Sequence, residues 1–149
     1  MKFLDGIHKY TGFTYYTTIL DSASNNLNKC TLNHTLQNHK NVLTIFETKN
    51  GNFFGAFHST IQKLNDYELQ VDEKSFVFSF VNGNFYCSRN YDNGSYFNSP
   101  KNLYQVAQAF KVEDNLNTTY SAYSNRFYNN TICFPEENPI KFVAVCLSK

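Results

Sequence analysis

The chain has 149 residues, the length of one ordinary domain, and 42% of them are hydrophobic. Its 13 basic and 12 acidic residues leave a net charge of +1, so it lacks the positive field that attracts nucleic acids or anionic membranes. No segment approaches the roughly 18 apolar residues that cross a bilayer, and the first 12 residues lack the apolar run of a signal peptide. We therefore expect one soluble cytoplasmic domain over residues 1–149, with no membrane insertion and with free, buried cysteines.

Strands are predicted to dominate the first part of the chain, which is rich in aromatic and β-branched residues. The predicted elements are a strand over 13–20, an amphipathic helix carrying Leu27, Cys30 and His34, a buried strand over 41–46 and a return strand over 52–57. Asn50-Gly51 predicts a type I′ turn between the last two strands, because that turn needs two residues that tolerate positive φ. Gly55, inside the return strand, predicts either a close backbone approach or a bulge.

The remaining elements are shorter and more widely spaced. They are a polar loop over 59–72, a strand over 75–81, a second hairpin turn at Asn82-Gly83, a strand over 84–88, a helix beginning at Ser99-Pro100 with Leu103, Val106, Ala107 and Phe110 on one face, strands over 118–123 and 126–134, and a last strand over 140–147. Many short strands with two helical interludes predict a mainly β (α+β) fold. The expected architecture is a two-layer antiparallel β-sandwich with short flanking helices.

Searching for catalytic motifs gives a mostly negative result. The chain has no GxSxG, P-loop, GxGxxG or HExxH motif, and its cysteines and histidines lack the paired spacing of metal ligands, so we expect no metal and no cofactor. Two possibilities stay open. Cys87 or Cys133 could pair with His58 as a thiol–imidazole nucleophile, and Glu73 could act as a general base. These residues define the alternative hypothesis of a small hydrolase or redox enzyme.

Two polar clusters suggest other activities less strongly. Asp66, Glu68 and Asp72 share a loop that could bind a cation, but the loop lacks the ligand pattern of an EF-hand, and solvated charges are the favoured interpretation. Aromatic and basic residues alternate around Asn93-Gly94, as in a weak nucleic-acid-binding module; they are Tyr86, Arg89, Tyr91, Tyr96 and Lys101. Without a basic groove, packing or interface roles are favoured, and no nucleic-acid partner is expected.

Three motifs follow one another in the middle of the chain: VLTIF at 42–46, GNFFGAF at 51–57 and EKSFVFSF at 73–80. This order resembles the TLDc domain family, which has an apolar strand, then a G-x-x-F-G-A-F motif, then a loop ending in Glu and an S/T-F-L-F-like strand. The second half departs from the family pattern, because it contains no tryptophan and no glycine between Leu103 and Thr119. The chain is therefore identified as a divergent TLDc-like domain.

The resemblance implies a β-sandwich bordered by short helices, without an established catalytic centre. Family members are linked to oxidative-stress resistance, and several bind the peripheral part of the vacuolar proton pump. The chain is thus expected to be a non-catalytic protein-interaction domain whose partner could be a subunit of that pump. The family's structural motif falls on Gly51, Phe54, Gly55, Ala56, Phe57, Phe76 and Phe78. Glu73 is the polar residue at a family-like position and the candidate functional residue.

Overall fold

The structure is a computed structural model that describes residues 2–61, 69–97, 102–121 and 124–149. Three helices and eleven strands lie in these ranges. They are α1 (Lys2–Thr11), β1 (Tyr15–Asp21), α2 (Lys29–Asn38), β2 (Val42–Thr48), β3 (Phe53–His58), β4 (Leu69–Val71), β5 (Phe76–Val81), β6 (Asn84–Ser88), β7 (Gly94–Phe97), β8 (Tyr104–Val106), β9 (Phe110–Val112), β10 (Thr118–Tyr120), α3 (Ser124–Phe127) and β11 (Pro139–Ser148). None of the described helices is long and apolar enough to cross a membrane.

A six-stranded antiparallel sheet forms the centre of the fold, with the strand order β1-β11-β2-β3-β5-β6. Two smaller antiparallel sheets, β10-β9-β8 and β4-β7, form a second layer. The predicted mainly β sandwich with flanking helices is therefore confirmed. The phenylalanine-rich segments of the sequence are β2, β3 and β5, which are direct neighbours in the central sheet.

The central sheet is apolar on both faces and contributes to two cores. The first core lies against α2 and the second layer and includes Phe46 and Phe54. The second core lies against α1 and includes Leu43, Phe57 and Phe78. Because successive side chains of a strand point to opposite faces, five of the six central strands supply both cores, and β6 contributes Phe85 and Cys87 to the second core.

Helix α1 covers the second core and was not predicted from the sequence. Phe3 and Ile7, one helical turn apart, are buried against the central sheet. A Cβ atom on Gly6 would lie only 2.7 Å from the Phe85 ring, so the missing side chain lets β6 approach the helix closely. Gly12, at φ 77°, ends the helix by donating its N–H to the His8 carbonyl at 2.7 Å.

The two predicted hairpin turns both occur, but only one is of type I′. Asn82 and Gly83 have φ values of 52° and 81°, as a type I′ turn requires. At Asn50-Gly51 only Gly51 has a positive φ, of 78°. Its N–H donates to the Thr48 carbonyl, so the connection is a longer loop and the type I′ prediction was wrong there.

The predicted helix carrying Leu103, Val106, Ala107 and Phe110 was wrong. These four residues are buried, but they lie on the β8–β9 hairpin, where Leu103 donates its N–H to the Val112 carbonyl at 2.8 Å. Buried and more exposed residues alternate in YQV at 104–106 and FKV at 110–112, the pattern of strands. Ser99-Pro100, the proposed helix start, lies outside the described residues.

Two further predictions need correction. The strand predicted over 126–134 is instead the end of α3, an isolated bridge between Asn90 and Tyr128, and irregular chain. The loop predicted over 59–72 contains β4, which pairs with β7. The predicted strand over 118–123 is confirmed as far as Tyr120, and residues 122–123 lie outside the described residues.

Candidate functional site

His58, the histidine of the enzyme hypothesis, ends β3 and points into the first core with 1% of its surface exposed. Its Nδ1 lies 2.7 Å from the Ser95 hydroxyl, and its Nε2 is hydrogen-bonded to the Tyr104 hydroxyl. A neutral imidazole offers one donor and one acceptor nitrogen, so these two bonds use both. Neither nitrogen is left for a thiol.

Burial around His58 favours the neutral imidazole. It lowers the pKa of His58 to about 4, while the negative charge of Asp72 opposes this shift more weakly. The network continues through Tyr104, whose hydroxyl lies 3.0 Å from Thr44 Oγ1, and Thr44 accepts the Ala56 N–H at 3.1 Å. The His58–Ser95 contact is buried, since each of the two residues is only 1% exposed.

Cys87 lies on the opposite face of the central sheet from His58. It packs against the second core beside Tyr10, and burial raises its pKa to about 12. A thiol with so high a pKa is a poor nucleophile, because the thiolate is the reactive form. The proposed Cys87–His58 pair therefore does not form in this structure.

The other cysteines also differ from expectation. All four thiols are free, but Cys30 and Cys133 are exposed, so the expected burial was wrong for these two. Among the described residues, no group of three or more potential metal ligands occurs.

The two acidic residues of the turn before β5 have different environments. Asp72 is 7% exposed and accepts hydrogen bonds from the Ser59 N–H and hydroxyl, both at 2.6 Å, and from the Lys74 N–H at 3.1 Å. Solvation was therefore the wrong interpretation for Asp72, whose carboxylate fixes this turn. Glu73 is exposed, and its backbone carbonyl accepts a bond from Arg89 at 2.9 Å. Asp66 and Glu68 lie outside the described residues.

The proposed base-stacking residues do not form one surface. Tyr96 is 1% exposed, and its hydroxyl donates to Asn33 of α2, whereas Tyr91 is 65% exposed. The Arg89 guanidinium lies 5.4 Å from the centre of the Tyr10 ring, on the side of the sheet that carries the second core. Lys101 lies outside the described residues.

Residues of the predicted structural motif lie on both faces of the sheet. Phe54 and Ala56 belong to the first core, and Phe57, Phe76 and Phe78 belong to the second. A Cβ atom on Gly55 would lie 1.8 Å from the Thr44 carbonyl oxygen, which confirms the predicted close backbone approach.

A cleft of about 250 Å³ opens between the end of α1 and the central sheet. Its lining combines aromatic, neutral polar and basic residues: Tyr10, Thr11, Phe13, Asn41, Phe57, Lys74, Phe76, Arg89 and Lys149. None of these described lining side chains is acidic. We call this site the basic cleft. Sequence analysis singled out Arg89, Phe57 and Phe76, but it did not bring them together, because they meet only through strand pairing and the docking of α1.

Strand β1 forms one edge of the central sheet, and β6 forms the other. The end of β6 is covered, because Asn129 donates its N–H to the Arg89 carbonyl and Asn130 donates to the Cys87 carbonyl. No strand among the described residues pairs with the outer edge of β1, and Tyr15, Thr17 and Thr18 are exposed. Strand β1 is thus an edge of the central sheet that no described strand covers.

No known family model matches the chain, and no curated protein matches it. The resemblance to the TLDc family therefore stays a prediction that depends on the three motifs.

Proposed function

We propose that this chain is a non-catalytic interaction domain of the TLDc type, which binds a partner protein along the outer edge of β1. The observation that carries the proposal is the β1 edge of the central sheet, with which no described strand pairs and which carries no charged side chain before Asp21. Exposed strand edges present unpaired N–H and C=O groups, to which an extended segment of another protein can add as a further strand.

The register of β1 identifies the backbone groups available to such a partner. Leu147 donates its N–H to Asn41 on the β2 side of β11, so the next residue, Cys146, directs its backbone groups towards β1. Cys146 pairs with Thr17. Thr17 therefore directs its backbone groups towards β11. Because these groups alternate in direction along a strand, the neighbouring Thr18 directs its N–H and C=O outward, away from β11. Between Thr18 and Leu20 the register shifts, which limits the regular edge to the first half of the strand.

The positions of the ionisable residues support a non-catalytic role. His58 is sealed in the first core, Cys87 lies on the other face of the sheet, and Glu73 is exposed in a turn. The TLDc resemblance adds the class of partner: the peripheral part of the vacuolar proton pump, or another component of oxidative-stress resistance. This proposal places the protein in the cytoplasm.

Binding to a purified peripheral sector of a vacuolar proton pump tests this function directly. Thr18→Pro removes the outward backbone N–H of residue 18 without breaking a hydrogen bond to β11. Thr18→Ala removes the side chain beyond Cβ but keeps this N–H. We expect the natural chain and Thr18→Ala to bind alike and Thr18→Pro to bind at least about tenfold more weakly, with all three folded by circular dichroism. Affinity capture from a cell lysate with the same three baits extends the test to other partners. If no protein distinguishes Thr18→Pro from Thr18→Ala, the edge is not the binding surface.

A further inference from the structure

We propose that the basic cleft binds a small organic carboxylate with a flat apolar body. This ligand site is separate from the β1 edge and does not depend on the proposed partner binding. The proposal follows from three features of the cleft: a continuous aromatic wall, a guanidinium with unused donors, and the lack of acidic side chains in the described lining.

Aromatic rings form the wall: those of Phe57 and Phe76 are stacked on each other and buried, and those of Tyr10 and Phe13 are half-buried and tilted against them. The ring centres of Tyr10 and Phe76 are 4.9 Å apart, those of Phe57 and Phe76 are 5.2 Å apart, and that of Phe13 lies 6.3 Å from Phe57. Tyr10 and Phe13 provide most of the exposed ring surface, which favours a planar apolar group that can stack on a ring with an offset or meet its edge. The cleft volume of about 250 Å³ is below the range of drug-sized sites, so the ligand is expected to be no larger than about two fused rings.

The guanidinium of Arg89 lies beside this wall, 5.4 Å from the centre of the Tyr10 ring and 6.0 Å from that of Phe76. Of its five N–H donors, one bonds to the Glu73 carbonyl at 2.9 Å. The remaining donors can bind both oxygens of a carboxylate, an arrangement that a planar guanidinium favours.

Lys74 adds a second positive charge at the rim. Its position depends on the turn that Asp72 fixes, because the Asp72 carboxylate accepts the Lys74 N–H at 3.1 Å. The Asp72 carboxylate itself is 7% exposed and bonded to Ser59. With three basic side chains, those of Lys74, Arg89 and Lys149, and no acidic side chain in the described lining, the cleft is complementary to a negative charge beside an apolar body.

Titration calorimetry with 2-naphthoate and the full chain, at low ionic strength, tests the proposal. We expect a dissociation constant of about 1 mM or tighter, with at least tenfold weaker binding of the uncharged isostere 2-naphthalenemethanol and of acetate, which has no apolar body. Arg89→Gln should weaken 2-naphthoate binding at least about tenfold, and Lys74→Gln about two- to fivefold. Lys111→Gln removes the same charge from the exposed side of β9 and should leave binding unchanged.

Three results would overturn the inference. They are the absence of 2-naphthoate binding to the folded natural chain at 5 mM, equal binding of the alcohol, and equal binding by Arg89→Gln and the natural chain. Lys74 is exposed, so Lys74→Gln keeps the test valid if Arg89→Gln does not fold. Tighter binding of the capped peptide acetyl-Phe-Glu-Phe-amide than of 2-naphthoate would overturn the small-molecule assignment, because the carboxylate would then belong to a protein segment.

Discussion

The hydroxyl groups of Tyr104 and Tyr120 both lie beside the first core, but they differ in their partners. Tyr104 bonds to His58 and Thr44, whereas the Tyr120 hydroxyl has no hydrogen-bond partner among the described groups. We expect Tyr104→Phe to lower the free energy of unfolding by about 1–3 kcal/mol, because it leaves buried polar atoms without a partner. Tyr120→Phe should be neutral or stabilising by up to about 1 kcal/mol, because it removes an unsatisfied group. Urea unfolding of both variants tests this, and an equal loss in both would contradict it.

His58 should make the stability of the fold depend on pH. Its pKa of about 4 in the folded chain lies below the value of about 6.5 expected when unfolded, so the unfolded state binds the proton more readily. The contribution of neutral His58 is then complete above pH 6.5 and is lost as the pH falls towards 4, by about 3 kcal/mol at most. Urea unfolding at a series of pH values measures this loss.

His58→Gln provides the comparison for that pH series, because an amide keeps one donor and one acceptor but does not titrate in this range. Its stability should vary less than that of the natural chain between pH 6.5 and 4. The resonance of the His58 ring C–H, followed by NMR, should have a midpoint near pH 4. A midpoint near 6.5 would contradict the burial argument whether or not the variant folds.

At the residue scale, most buried side chains could be predicted from the sequence. The contacts between polar groups could not. The alternating phenylalanines Phe76 and Phe78 indicated a buried strand, and both residues are in the second core. The contact between His58 and Ser95 joins residues 37 positions apart. It depends on the register of β3 and the docking of the second layer, which no local pattern encodes.

At the scale of single elements, the contact between β2 and β3 depends on Gly55. Gly55→Ala should lower the free energy of unfolding by about 3 kcal/mol or more, because the added Cβ would lie 1.8 Å from the Thr44 carbonyl oxygen and must separate the strands. Gly51→Ala is the matched control, since a Cβ there meets nothing within 4 Å and costs only about 1 kcal/mol through its φ of 78°. Thermal unfolding of both variants compares the two costs. A Gly55→Ala variant as stable as Gly51→Ala would contradict the close-approach argument.

The β8–β9 hairpin illustrates a limit of periodicity. Leu103, Val106, Ala107 and Phe110 have helical spacing, yet a tight hairpin also brings them to one buried surface. Over so short a segment the two patterns coincide, and burial alone cannot distinguish them. Gln108, at φ 52°, reverses the chain between the strands without the Asn-Gly sequence that revealed the turn at Asn82-Gly83. A hairpin whose turn lacks Asn-Gly is therefore difficult to predict from the local sequence.

Helix α1 was overlooked for a different reason. Its apolar residues Phe3, Ile7 and Tyr10 do have the i, i+4, i+7 spacing of a helix, but the first 12 residues were considered only as a possible signal peptide. What fixes the helix is the second apolar face of the central sheet. The alternation in VLTIF at 42–46 already places Leu43 and Ile45 opposite Phe46, so a covering element on that side follows from the strand itself.

For the whole molecule, the central sheet links the two cores. Strands β2, β3 and β5 each send alternate side chains into the first and the second core, so the two cores share these strands. The motifs that resemble the TLDc family lie on these shared strands. They therefore carry information about the framework, whereas the proposed edge and cleft are formed by β1, α1 and the turns around them.

This linkage predicts one cooperative unfolding transition that either core can shift. Ile7→Ala in the second core and Leu32→Ala in the first remove side chains with 0% exposure, and each should lower the free energy of unfolding by about 2–5 kcal/mol. Leu4→Ala is the control, because Leu4 of α1 is 38% exposed. It should change the free energy of unfolding by no more than about 0.5 kcal/mol. Circular dichroism and tyrosine fluorescence should give the same urea midpoint for each variant. Two separate transitions, with Ile7→Ala shifting only one of them, would mean that α1 and the second core unfold independently of the sandwich.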